Sequence, residues 1–225
     1  MFIWLIIVPM ILGLWAQHRV KSAFSKYSQV RTASNMTGAE TAEAILRAAG
    51  IGDVEVVEIN GMLGDHYDPS NKRLCLSTDV YGSPSVSAVG VAAHETGHAI
   101  QHARAYAPLK ARMAVVPITQ FTSQLLPVIL FAGLFLRLLP WQLVIQFAAL
   151  CYGVLTVFQL ITLPVEFDAS RRAKIILGQM GIIRAGEETV GVNRVLDAAA
   201  LTYVAAFVAA LANLVYFLLL DRRNN

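Results

Sequence analysis

The strongest chemical signal in the sequence is the run His94-Glu95-Thr96-Gly97-His98. On a helix, residues four apart sit one turn above each other on the same face, so the two imidazoles can converge on one ion. Two neutral imidazoles and a carboxylate suit zinc, and a catalytic zinc keeps one position open for water. Glu95, between the histidines, is placed to take a proton from that water. The flanks are Val89-Gly90-Val91-Ala92-Ala93 and Ala99-Ile100, a packed interior rather than a wet helix face. Buried His and Glu need partners, and a metal ion supplies them. The expected cofactor is one catalytic Zn2+.

A helix has to hold these residues. Ser83-Pro84-Ser85 predicts its start, with Ser83 or Ser85 as N-cap, and it should run to about Ala105, before Pro108. Its ends are too polar, and the segment too short, for a membrane span, which favours a site at a membrane surface. Upstream, Thr37 and Glu40 form a capping box ahead of an apolar stripe at Ala42, Ile45, Leu46 and Ala49. Gly50 or Gly52 should end that helix. Residues 53–59 and 72–77 alternate as strands, separated by a turn at 61–64 and a polar loop at 65–71. The second strand could offer an edge to an extended substrate or lie inside the sheet.

Composition places these elements beside a bilayer. The chain is 56% hydrophobic and 15% charged, with mean hydropathy +0.56, whereas soluble domains carry roughly 25% charged residues. Spans are predicted at 1–16, 115–139, 142–163 and 198–220, with Trp141 at an interface beside Pro140. The net charge of +3 and pI near 9.0 give no further support to nucleic-acid binding. Ten of the eighteen Lys and Arg fall in 17–114 and five in 164–197, leaving Arg137, Arg222 and Arg223 on the other side. That bias predicts a multi-pass protein of the cell inner membrane, with both polar segments cytoplasmic and the N-terminus outside; Arg222-Arg223 argues mildly the other way. Cys75 and Cys151 lie in unlike surroundings and have no zinc-thiolate spacing, so no disulfide is expected. The predicted fold is a mainly α membrane protein: four transmembrane helices and a small cytoplasmic α+β zinc-metallopeptidase domain.

Two spans separate the polar segments, so both emerge on one membrane face, where a third metal ligand should be found. Glu166, in Pro164-Val165-Glu166-Phe167-Asp168, fits best; Asp168, Glu187, Glu188 and His66 are alternatives, and pairing with Arg171 or Arg172 would be its non-catalytic role. Peptide hydrolysis also needs a donor for the developing oxyanion. The candidates are His66, Tyr67, Arg171 and Arg172, although a loop role suits His66 and a lipid-headgroup role the arginines. His102, one turn beyond His98, reads as an interfacial polar residue.

Four stretches carry a family resemblance: Asp65-His66-Tyr67-Asp68-Pro69, Val91 to Gln101 around the two histidines, Leu163 to Ser170, and Val195 to Tyr203. Over nearly its whole length the chain resembles the bacterial membrane zinc metallopeptidases typified by YugP, distant relatives of the HtpX and CAAX prenyl protease group, which are gluzincins. The resemblance implies zinc at His94 and His98, Glu95 as catalytic base and Glu166 as third ligand. In the HtpX group an aspartate follows that glutamate by four residues. Here the position is Ser170, and Asp168 stands at plus two, so a carboxylate supporting a zinc-bound histidine is assigned to Asp168 only as a substitute. The expected function is a membrane-anchored zinc endopeptidase acting on peptides or membrane proteins. The alternative is a non-proteolytic zinc-binding scaffold, which has no need of Glu95. Ion transport is weakly supported, since the spans offer only glutamines and Asn213 at depth.

Overall fold

The computed structural model describes residues 3–61 and 64–224. Among them, α1 (Trp4–Tyr27) leads to α2 (Gly38–Ala48), then β1 (Glu55–Ile59), β2 (His66–Asp68) and β3 (Arg73–Ser77). A single turn, α3 (Thr78–Tyr81), precedes α4 (Val86–Ala103), α5 (Ala107–Leu134), α6 (Trp141–Gln179) and α7 (Glu187–Asn224). The centre of the turn expected at 61–64 lies outside the described residues.

Local signals place the small elements. The Thr37 side chain accepts from the Glu40 N–H at 3.2 Å while the Glu40 carboxylate accepts from the Thr37 N–H at 2.8 Å, closing the capping box of α2. Gly50, at φ +72°, then turns the chain out of the helix. Ser85, the N-cap of α4, accepts from the Ala88 N–H at 3.3 Å. The segment after α1 pins that helix start, because Val86 N–H donates to Val30 and Thr32 N–H to Pro84.

The sheet differs from the expected pair of strands. Its order is β1-β3-β2, with β1 parallel and β2 antiparallel to β3. The strand at 72–77 is therefore central and already paired on both sides, so it offers no edge; the outer strands are β1 and β2. Residues 66–68, expected in a loop, form β2.

Around this sheet α4 is the hub. One side packs Ala88 and Ala92 on Leu74, Leu76 and Val80, with Ala42 of α2. Another packs Val89, Ala93 and Ile100 among Ala173 and Leu177 of α6 and Val192, Val195 and Leu196 of α7. A third cluster, including Leu126, Ile145, Ala148 and Phe217, ties α5, α6 and α7 together away from the sheet.

Three helices among the described residues are long and apolar enough to cross a membrane: Ala107–Leu134, Trp141–Gln179 and Glu187–Arg223. They contain the expected spans 142–163 and 198–220 and most of 115–139. The helices extend into the polar segment 164–197: α6 runs through Pro164 without a break, and α7 is already helical at Glu187. The expected first span falls on α1, which does not meet the same measure, because Gln17, His18, Arg19 and Lys21 follow closely on its apolar run.

Candidate metal centre

The site forms where α4 crosses α6. Gly97 sits at the crossing: a Cβ there would lie 2.9 Å from the Ala169 carbonyl oxygen. The absence of a side chain lets the two backbones close up, and this brings Glu166 and Ser170 of α6 onto the histidine face of α4. Glu166 Oε2 lies 3.2 Å from His94 Nε2 and 3.5 Å from His98 Nε2. Ligand atoms of His94, His98 and Glu166 all fall within 4.8 Å of one another, and all three residues are buried.

The outer ring nitrogens fix how the imidazoles are used. His98 Nδ1 lies 3.0 Å from Gln101 Oε1, an amide oxygen that can only accept, so Nδ1 carries a proton and the neutral ring offers Nε2 as an acceptor. His94 Nδ1 lies 3.1 Å from Ser170 Oγ, a contact compatible with the same tautomer. Two acceptor nitrogens and a carboxylate oxygen then converge in a buried space, which calls for a cation between them. Two imidazoles and one carboxylate fit zinc with a position to spare.

The surrounding network aims these groups. The Gln101 amide, fully buried, donates to the Val165 carbonyl at 2.8 Å and to Asp168 Oδ2 at 2.9 Å. Arg171 and Arg172 each donate to Asp168 at 2.5 Å. Glu95, also buried, accepts from the Tyr67 backbone N–H of β2 at 3.1 Å. Burial pushes the Glu95 carboxyl above its usual range, while His94 and His98 pull the other way. The Arg112 guanidinium, on α5, donates to Glu166 Oε1 at 2.7 Å.

The residues singled out from sequence thus separate into groups. His94, Glu95, His98 and Glu166 come together. Asp168 touches neither histidine; it holds Gln101, which holds His98. Ser170, where the related group has aspartate, is the residue on His94. Glu188 lies elsewhere, accepting from the Ala33 and Arg184 backbone N–H groups. Arg171 and Arg172 are committed to Asp168, the Tyr67 hydroxyl pairs with His102 Nδ1 at 2.9 Å, and His66 Nδ1 lies 2.7 Å from the Gly64 carbonyl. The sequence assigned no role to Gln101 or Arg112, which hold His98 and Glu166. Gln101, three residues after His98 and so on the same helix face, was the one within reach of a spacing argument.

Comparison with known proteins agrees with this chemistry. The chain is 46% identical over 220 residues to a protein of Bacillus subtilis (strain 168) described as "Putative membrane protease YugP", covering 98% of this chain and 96% of that one. No solved structure matches. Residues 2–222 match the sequence model of one family, and the chain belongs to that family, described as "Putative neutral zinc metallopeptidase".

Proposed function

We propose that this chain is a membrane-anchored zinc endopeptidase of the gluzincin type, with His94, His98 and Glu166 as ligands and Glu95 as general base. The observation that carries the reading is the convergence of those three buried ligand atoms with the Glu95 carboxylate beside them. Zinc held there supplies a Lewis acid that activates water and polarises a peptide carbonyl. Glu95 accepts the proton of the attacking water and returns it to the leaving amine nitrogen. The Tyr67 N–H holds one Glu95 oxygen, which orients the carboxylate for that transfer. The ring-nitrogen contacts to Gln101 and Ser170 keep both Nε2 atoms turned inward.

The substrates are peptides or membrane-proximal segments of proteins, reached from the cytoplasmic face of the cell membrane, an orientation supported by the Lys and Arg bias. α1 serves as a fourth membrane helix. Its exposed Trp4, Ile6, Val8, Met10, Ile11, Leu14 and Trp15 would otherwise meet water.

The deciding experiment compares zinc content and casein or self-cleavage in detergent for wild type, Glu95→Gln and Glu166→Ala. The expected result is zinc retained and cleavage lost in Glu95→Gln, and zinc lost in Glu166→Ala. Stoichiometric zinc without any cleavage by wild type would favour a scaffold, and zinc unaffected by Glu166→Ala would remove the third ligand.

A further inference from the structure

The two oxygens of Glu166 have different partners. Oε2 faces His94 Nε2 and His98 Nε2, at 3.2 and 3.5 Å. Oε1 accepts from Arg112 Nη1 at 2.7 Å. The carboxylate is almost fully buried, and the Arg112 side chain is 27% exposed. A charge-assisted hydrogen bond in so dry a place is stronger than a neutral one. It holds one face of the carboxylate, leaving Oε2 turned to the histidines.

Arg112 reaches this point from a third helix. α4 carries the histidines and α6 the glutamate; α5 begins four residues after α4 ends. Ala105, at φ +53°, reverses the chain between them. The second turn of α5 therefore lies back over the site. The arginines named from sequence as oxyanion candidates, Arg171 and Arg172, are both held by Asp168.

We infer that Arg112 is a positioning residue for the metal centre: by holding Oε1 of Glu166 it restricts that carboxylate to a single ligating oxygen, Oε2. The inference rests on the proposed zinc site and deepens it. A carboxylate free to turn can offer both oxygens to a metal, which fills a position that water or a substrate carbonyl would use. A guanidinium fixed on Oε1 prevents this and keeps the carboxylate aimed while the site awaits its ion.

The test replaces zinc by cobalt(II) in the full-length protein in detergent, because cobalt(II) absorbs visible light strongly when four-coordinate and weakly at higher coordination number. Zinc affinity is measured in parallel by chelator competition. Arg112→Met removes every donor and keeps the apolar stem. It is expected to lower the cobalt(II) absorption and to weaken zinc binding by about 10–100-fold. Arg112→Lys, which keeps a cationic donor, should recover most of the wild-type spectrum. A wild-type spectrum and wild-type zinc affinity in Arg112→Met would overturn the inference. If that variant does not fold, Arg112→Leu, which also carries no donor, decides on the same two readings, an unchanged pair again overturning it. A wild-type protein that takes up neither ion overturns the zinc site itself, an outcome distinct from uptake with an unmoved spectrum.

Discussion

The two ends of α6 follow opposite rules. Toward its start the helix turns apolar side chains outward: Leu150, Val157 and Leu160 are 65%, 53% and 55% exposed, and its buried face carries Val144, Ile145, Ala148 and Cys151. Beyond Pro164 the same helix buries polar groups: Glu166, Asp168 and Ser170 are 1%, 7% and 6% exposed. An apolar outer surface costs nothing against lipid, and buried polar groups cost little once each has a partner. One unbroken helix thus passes from an apolar outer surface to a buried polar cluster within a few turns. The rigidity of the first part is available to position the ligand in the second.

Substitutions at the two ends should separate sharply. Glu166→Ala removes the proposed third ligand and leaves Arg112 without its carboxylate, so bound zinc should fall to background in elemental analysis. Leu160→Ala, fewer than two turns earlier, should leave zinc content unchanged, because its side chain faces outward. Equal zinc loss in both variants would break the distinction between the two ends.

Two glycines of opposite surroundings sharpen it. Gly97→Ala on α4 drives a Cβ to 2.9 Å from the Ala169 carbonyl and 3.2 Å from its Cα, where only a backbone shift can relieve it. Overpacking of this kind costs about 1–3 kcal/mol, read as a lower unfolding temperature in detergent, with zinc affinity falling as the helices part. Gly153→Ala, in the outward-facing part of α6, meets nothing within 4 Å. It should leave the unfolding temperature unchanged or raise it slightly, by the gain in helix propensity. A Gly97→Ala protein as stable as wild type would show that the crossing is looser than its contacts indicate.

Gln101→Leu tests the relay from Asp168 to His98. The variant keeps the volume but leaves His98 Nδ1 and Asp168 Oδ2 without their shared partner. Zinc affinity should fall by about 10–100-fold, in chelator competition, with little change in helix content by circular dichroism.

What could be read from sequence follows from how local each signal is. The Thr37–Glu40 box and the Ser85 cap involve neighbours three residues apart, and the two histidines share a helix turn, so spacing alone finds them. Glu166 emerged as the best candidate because two expected spans would return residues 164–197 to the side of the histidine helix. β2 was hidden because His66, Tyr67 and Asp68 have loop-like composition; their pairing with Cys75, Leu74 and Arg73 depends on a strand farther along the chain. The continuity of α6 was hidden by Pro164, ordinarily a boundary signal, although the helix runs through it. Arg112 was invisible for a tertiary reason: its partner lies 54 positions away, on a helix it meets only after folding.

The smallest expected effect concerns Ser170, the position at which this chain departs from the aspartate of the HtpX group. Its hydroxyl meets His94 Nδ1 at 3.1 Å in a buried setting. A neutral hydrogen bond contributes about 0.5–1.5 kcal/mol net. Ser170→Ala should therefore weaken zinc by no more than about tenfold, and less than Gln101→Leu, whose partner Asp168 is itself held by two arginines. The two histidines are then supported unequally, His98 by a charged relay and His94 by a single hydroxyl. A Ser170→Ala loss as large as that of Gln101→Leu would show instead that the hydroxyl carries the orientation of His94 as fully as the longer relay carries that of His98.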